Sequence, residues 1–176
     1  MDKAEIYIGE AVHQIRYAKM CFAAYKRAKQ DDDIPLVFFH VHHFVVHAAN
    51  VDKVLDPKTA NSRIQVLKEC IDLTGINLKA LRRLRNHLEH FDERLDDWVA
   101  HYEGEPFFDM NLVDGTRGFP EKAFLRALDG DVFKFYGESY DLAELFSQLL
   151  EIEKCIPERW RDDGLQSRIN PERHSK

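Results

Sequence analysis

The sequence predicts a mainly α fold: an antiparallel up-and-down four-helix bundle with a small appended β hairpin and a C-terminal helix. Three observations carry that expectation. Leu81, Leu84, Leu88, Phe91, Leu95, Trp98 and Tyr102 step by three and four residues, the period of a helix with one buried face. Val37, Val41, Phe44, Ala48, Val51 and Leu55 do the same. Beyond Tyr102 the pattern yields to Gly104, Pro106, Gly115, Gly118 and Pro120, residues that punctuate turns.

The elements follow in order. Residues 3–29 read as a first helix, with Ile8, Val12, Ile15, Phe22 and Tyr25 at helical spacing and no Gly or Pro between Glu10 and Gln30. Asp31-Asp32-Asp33-Ile34-Pro35 then supplies capping carboxylates and a proline for a first turn. The second helix spans residues 34–55 and ends before Pro57. Phe38, Val45 and Ala49 give it a second apolar face about 100° from its seam, which makes it central. A third helix is expected over residues 59–73, stopped by Thr74-Gly75. The fourth is expected as one helix over residues 77–102. Short links between such helices imply antiparallel neighbours.

Asp129-Gly130, between residues 123–128 and 132–136, signals a hairpin turn; residues 121–128 as a short helix is the alternative. Leu142, Leu145, Phe146, Leu149, Leu150 and Ile152 mark a last helix over residues 142–156. The tail from Asp162 is expected to be mobile. Residues 1–102 are thus expected to form the bundle, with residues 103–160 packed on it in the same domain.

Composition bounds the function. With 31 acidic and 25 basic residues, the chain carries a net charge of −6, which argues against a broad nucleic-acid-coating surface, so any RNA contact must be local. Cys21, Cys70 and Cys155 are odd in number and far apart, so a disulfide framework is not expected and a reducing cytoplasm is. Met1-Asp2-Lys3-Ala4-Glu5 lacks the basic start and apolar run of a signal peptide. Four histidines, an asparagine and an Asp-Lys pair interrupt residues 34–55, so that segment reads as a buried helix and no membrane span is expected.

The stretch richest in chemistry is Arg85-Asn86-His87-Leu88-Glu89-His90. Arg85 is a permanent cation with a donor fork suited to phosphate oxygens. His90 can give or take a proton near neutral pH. Asn86, one turn earlier, can hydrogen-bond the imidazole or a substrate oxygen. At about 100° per residue, Asn86 and His90 lie roughly opposite the leucine seam, whereas Arg85 is about 140° from His90. The two meet only if a phosphate bridges them or a second copy of the helix supplies the missing half, which suits a two-fold interface. The plain alternative is a solvated face in which Arg85 and Glu89 form an i,i+4 pair worth tenths of a kcal/mol.

On this helix the pattern resembles the Arg-x4–6-His signature of the HEPN superfamily, and the resemblance covers roughly residues 1–102. It implies a four-helix bundle that dimerises with its motif helices facing each other. It further implies a metal-independent endoribonuclease, in which the RNA 2′-hydroxyl attacks the adjacent phosphate and leaves a 2′,3′-cyclic phosphate and a 5′-hydroxyl. Arg85 would hold the phosphate, His90 would act as base or acid, and Asn86 would orient substrate or imidazole. Arg82, His87, Glu89, His43 and His47 are the further substrate-binding candidates. The expected partners are RNA, a second copy of the chain and, in a toxin-like role, a neutralising protein. No cofactor or metal is expected. Some 70 residues follow the motif helix, a departure from the family pattern. Non-catalytic family members also exist, so the alternative function is a bundle that binds a nucleotide, RNA or a protein without turnover.

A second constellation, His40, His43, His47 and Asn50, steps by three and four along the second helix. It reads as half-buried core histidines, as interface or site-lining groups, or as a metal pair at His43 and His47. Phe44 stands where a metalloprotease helix needs glutamate, and no partner Cys/His pair lies at finger spacing. The basic patch of Lys79, Arg82, Arg83 and Arg85 can engage an RNA backbone. The chain holds no Gly-rich phosphate loop and no Gly-x-Ser-x-Gly elbow.

Overall fold

The computed structural model describes residues 3–56, 62–76, 79–104, 106–115 and 117–161. It is mainly helical, with a four-stranded sheet and a C-terminal helical segment. Helices α1 (Lys3–Gln30) and α2 (Ile34–Leu55) form a long antiparallel hairpin, in which Phe22 meets Phe44 with ring centroids 5.3 Å apart. The turn works as the aspartates suggest. Asp32 adopts φ 52°, and the Leu36 amide donates to Asp33 Oδ1 at 3.2 Å, with Pro35 in the first turn. Every residue of the α2 seam is buried, and so are Phe38, Val45 and Ala49. Among the described residues α2 alone is long and apolar enough to cross a membrane, with mean hydropathy 1.3. Here it lies at the centre of the core.

Helix α3 (Ser62–Lys68) is shorter than expected and buries Leu67 near α1. The expected start at Thr59 lies outside the described residues, as do Asn77 and the tail from Asp162.

The expected single helix over residues 77–102 is two helices, α4 (Lys79–Glu89) and α5 (Phe91–Ala100). No Gly or Pro separates them. The break is at His90 (φ −107°, ψ 37°), with the His90 amide still bonded to Asn86 O at 3.2 Å. Tertiary contacts account for it. Leu81 and Leu84 are fully buried beside α2, whereas Phe91 stacks on Phe135 of the sheet at 6.1 Å. Trp98 Nε1 donates to Lys122 O at 2.9 Å, while Tyr102 is exposed. The apolar seam therefore serves two different surfaces, and the chain bends to reach both.

The sheet is larger than the hairpin expected. Strands β1 (Phe108–Val113), β2 (Phe124–Asp129), β3 (Val132–Phe135) and β4 (Glu138–Asp141) lie in the order β1-β2-β3-β4. β2 and β3 make the hairpin at Gly130, antiparallel with Asp129 opposite Val132. β3 and β4 join through Tyr136 and Gly137, both at positive φ (51° and 75°), as a tight two-residue hairpin demands. β1 runs parallel to β2, and a 3₁₀ turn at Glu121–Ala123 leads directly into β2. Phe133, Phe135 and Tyr140 face the helices, and Phe38 reaches Phe133 at 6.2 Å.

Helix α6 (Leu142–Cys155) starts at Asp141, whose Oδ1 accepts from the Ala143 and Glu144 amides at 2.9 Å. It packs Phe146 flat on Phe22 at 4.1 Å. The short α7 (Glu158–Arg161) places Trp160 in the same core. One hydrophobic cluster thus runs from Ala4 to Trp160.

A candidate phosphate-binding groove on the motif helix

The groove is built from a buried carboxylate upward. Asp52 sits on α2, and its side chain is only 3% exposed. Such a charge needs a partner, and Arg82 of α4 supplies one: Nε and Nη2 both bond the carboxylate, Nη2 at 2.8 Å. Nη2 also reaches Asp56 O at 3.1 Å. The bond to Asp52 leads the effects that push the Arg82 pKa up. This clamp sets α4 against α2 and leaves a cleft of about 890 Å³ between α1, α2, α3 and α4.

The cleft's charge opposes that of the chain. Lys53, Arg63, Lys79, Arg82, Arg83 and Arg85 line it, against Glu10, Asp52 and Asp56, with Gln14, Asn50 and Asn86 between them. Two further carboxylates, Glu89 and Glu138, pair with Lys53, Arg85 and Arg83, so the six cations keep a small local excess on an acidic protein, and a groove of that kind attracts phosphates.

The site residues named from the sequence fall into three places. Arg85 and Asn86 line the groove, and so does Arg82, anchored by Asp52. Arg85 Nη2 is held by Glu89, whose Oε1 also accepts from Lys53 Nζ at 3.4 Å. Glu89 thus bridges two of the groove's cations.

His90 lies apart. It is exposed at the bend, outside the groove lining, with Nδ1 3.3 Å from Glu93 Oε1. A single copy therefore does not bring Arg85 and His90 to one point. His87, only 8% exposed, packs between the rings of Phe135 and Tyr136. Its Nδ1 accepts from Arg94 Nε at 3.3 Å, which leaves Nε2 to donate to Glu138 Oε1 at 3.3 Å. Glu138 also holds Arg83 and the Tyr140 hydroxyl. Burial alone would raise the Glu138 carboxyl, but these bonds outweigh it and lower its pKa. His87 thus joins the motif helix to the edge of the sheet, a packing place away from the groove.

His47 lies on the α1–α2 seam, and His43 one turn before it on α2. His43 Nδ1 is 2.8 Å from Phe39 O, and His47 Nδ1 is 2.8 Å from Gln14 Oε1. Gln14 Oε1 also takes a bond from Asn50 at 3.4 Å. Among the described residues no group of three His, Cys, Asp or Glu side chains could hold a metal ion.

Sequence reasoning found the basic patch on α4 but missed Lys53 and Arg63, which only the packing of α2 and α3 brings to it. One signal was present: an aspartate on the apolar side of a central helix announces a cation somewhere across from it. Compared with protein-family models, curated proteins and solved structures, the chain matches none.

Proposed function

We propose that the protein is a metal-independent endoribonuclease of HEPN type, working in the cytoplasm as a homodimer. In this reading α1 to α5 correspond to the family's four-helix bundle, with its last helix bent at His90. The observation that carries the proposal is the position of Arg85 and Asn86 on the wall of a cation-lined groove in an acidic chain. An RNA backbone lies in that groove, its phosphate held by Arg85 and the neighbouring cations. His90 is exposed, so a second copy can bring its own histidine to the phosphate held by the first. The 2′-hydroxyl attacks the phosphorus, its proton passes to a base, and the 5′-oxygen leaves with a proton from an acid. His90 is the proton-transfer group. The products are a 2′,3′-cyclic phosphate and a 5′-hydroxyl, and a toxin-like role with a neutralising protein partner fits such an activity.

The test is incubation of purified protein with an RNA panel in excess EDTA, beside Arg85→Ala and His90→Ala, with end-group analysis. Both side chains lie off the core, so the variants should fold. Cleavage by the wild type alone, leaving cyclic phosphate ends, is the expected result. Undiminished cleavage by either variant would remove that residue from the mechanism.

One observation favours a second reading. Within a chain Arg85 and His90 are each held by a separate carboxylate, Glu89 and Glu93. A bundle that binds RNA or a nucleotide in the groove without turnover accounts for that pairing. It is distinguished by saturable binding that Arg85→Ala weakens while no product forms.

A further inference from the structure

The groove does not end at Asn50. Gln14 and Asn50 form part of its lining, and the same Gln14 oxygen that bonds Asn50 also bonds His47. From there a file of rings continues along α2 toward its start, with Tyr17 of α1 beside it. Tyr17 lies against His47 with centroids 5.3 Å apart, and Phe39 lies against His43 at 4.1 Å. Tyr17 and Phe39 are 45% and 52% exposed, a large fraction for side chains of that size. Gln14 and Tyr17 are three residues apart on α1; Phe39, His43, His47 and Asn50 step by four, four and three on α2. Each set therefore shares one helix face, and the α2 set spans about 16 Å.

We propose that this file is a stacking track for the unpaired bases of a single-stranded RNA whose phosphates lie in the cationic groove. The inference rests on the groove's reading as a nucleic-acid site and adds what the groove alone does not supply, a preference for single strands. A positive channel that tracks the backbone, next to exposed rings on which bases stack, is the recurring design for such binding. Two features suit the file to it. Both imidazoles are anchored by their Nδ1 atoms, so their planes are fixed. Burial, and then the neighbouring His43, lower the His47 pKa, which keeps that ring uncharged near neutral pH. A duplex pairs its bases inward and offers the track nothing.

The experiment uses the full chain and a fluorescent 2′-O-methyl RNA strand of about ten residues, which lacks the attacking hydroxyl and so cannot be cleaved by this route. An abasic sugar-phosphate strand of equal length and a duplex are the comparison probes. Anisotropy titrations compare the wild type with the Tyr17→Ala/Phe39→Ala variant, and sedimentation of both proteins runs in parallel. Expected is a loss of roughly tenfold or more in single-strand affinity in the variant, with abasic and duplex binding unchanged. An equal loss on all three probes, or none on the single strand, overturns the track. So does a change of the variant from dimer to monomer, which would make the file a self-association surface. If the wild type binds the abasic strand as tightly as the single strand, the groove reading stands and the track falls. Should it bind no probe, both fall together.

Discussion

Two carboxylates hold this molecule together in different ways. Asp52 is buried on α2, its side chain 3% exposed, and takes the fork of Arg82. Asp131, in the β2–β3 turn, is 30% exposed and is shared by three residues of α1: Tyr25, whose hydroxyl donates at 2.6 Å, Lys26, and Lys29 at 3.3 Å. A buried charge loses more when its arginine goes than a half-exposed charge that water reaches and three donors share. The first clamp fixes the groove between helices; the second fixes the sheet to the helices. The groove is therefore the more brittle of the two constructions.

Arg82→Met breaks the comparison at its strongest point. It leaves Asp52 buried without its arginine, and urea unfolding should show a loss of about 3 kcal/mol. A loss below about 1 kcal/mol would mean that water or its other contacts hold Asp52 without the arginine. At the second clamp, Tyr25→Phe removes one donor of three and should cost about 1 kcal/mol.

The pH dependence sharpens the contrast. Burial by itself would raise the Asp131 carboxyl, but the bonds from Lys26, Tyr25 and Lys29 hold it down to about 2. Because its folded pKa is depressed, its contribution is complete above the unfolded value near 4 and disappears as pH falls through about 2. The Tyr25→Phe variant holds the carboxyl less low, so its loss begins at the same pH but is smaller and is complete at a higher pH; identical acid profiles for the two proteins would count against the clamp.

The smallest effect on stability belongs to Glu89. Glu89 and Lys53 are each 47% exposed, although the Arg85 side chain is only 19% exposed, so Glu89→Ala should change stability by less than about 1 kcal/mol. It frees two groove cations, however, and pyrophosphate affinity by calorimetry should rise roughly two- to tenfold.

How far the sequence foretold this depends on whether the relevant contacts are local. The α2 seam, its Asp33 cap, helix α6 and the Asp129-Gly130 hairpin were legible because period and turn chemistry are properties of adjacent residues. The bend at His90 was not, since nothing in residues 86–94 breaks a helix; Phe135, more than 40 positions away, draws Phe91 aside. β1 escaped notice because glycines and prolines flank it and its partner strand comes later in the chain. β4, at four residues, is too short to show a period. At the site, the cations of α4 were visible as a cluster, and so was the i,i+4 pairing of Arg85 with Glu89. The burial of His87 was hidden because the sheet that covers it is built from residues 51 positions further on.

The spacing of the two clamps along the chain sets an order of assembly. Asp52 and Arg82 are 30 residues apart, Tyr25 and Asp131 106. Every described residue lining the groove lies between Glu10 and Asn86, ahead of the first strand at Phe108. On a ribosome the groove can close while the sheet is still unmade. Phe22, Tyr25 and Phe38 are then without the sheet and α6 that later cover them. A nascent chain at that stage displays a bare aromatic face, the kind of surface chaperones hold, until the last third of the protein arrives to cover it.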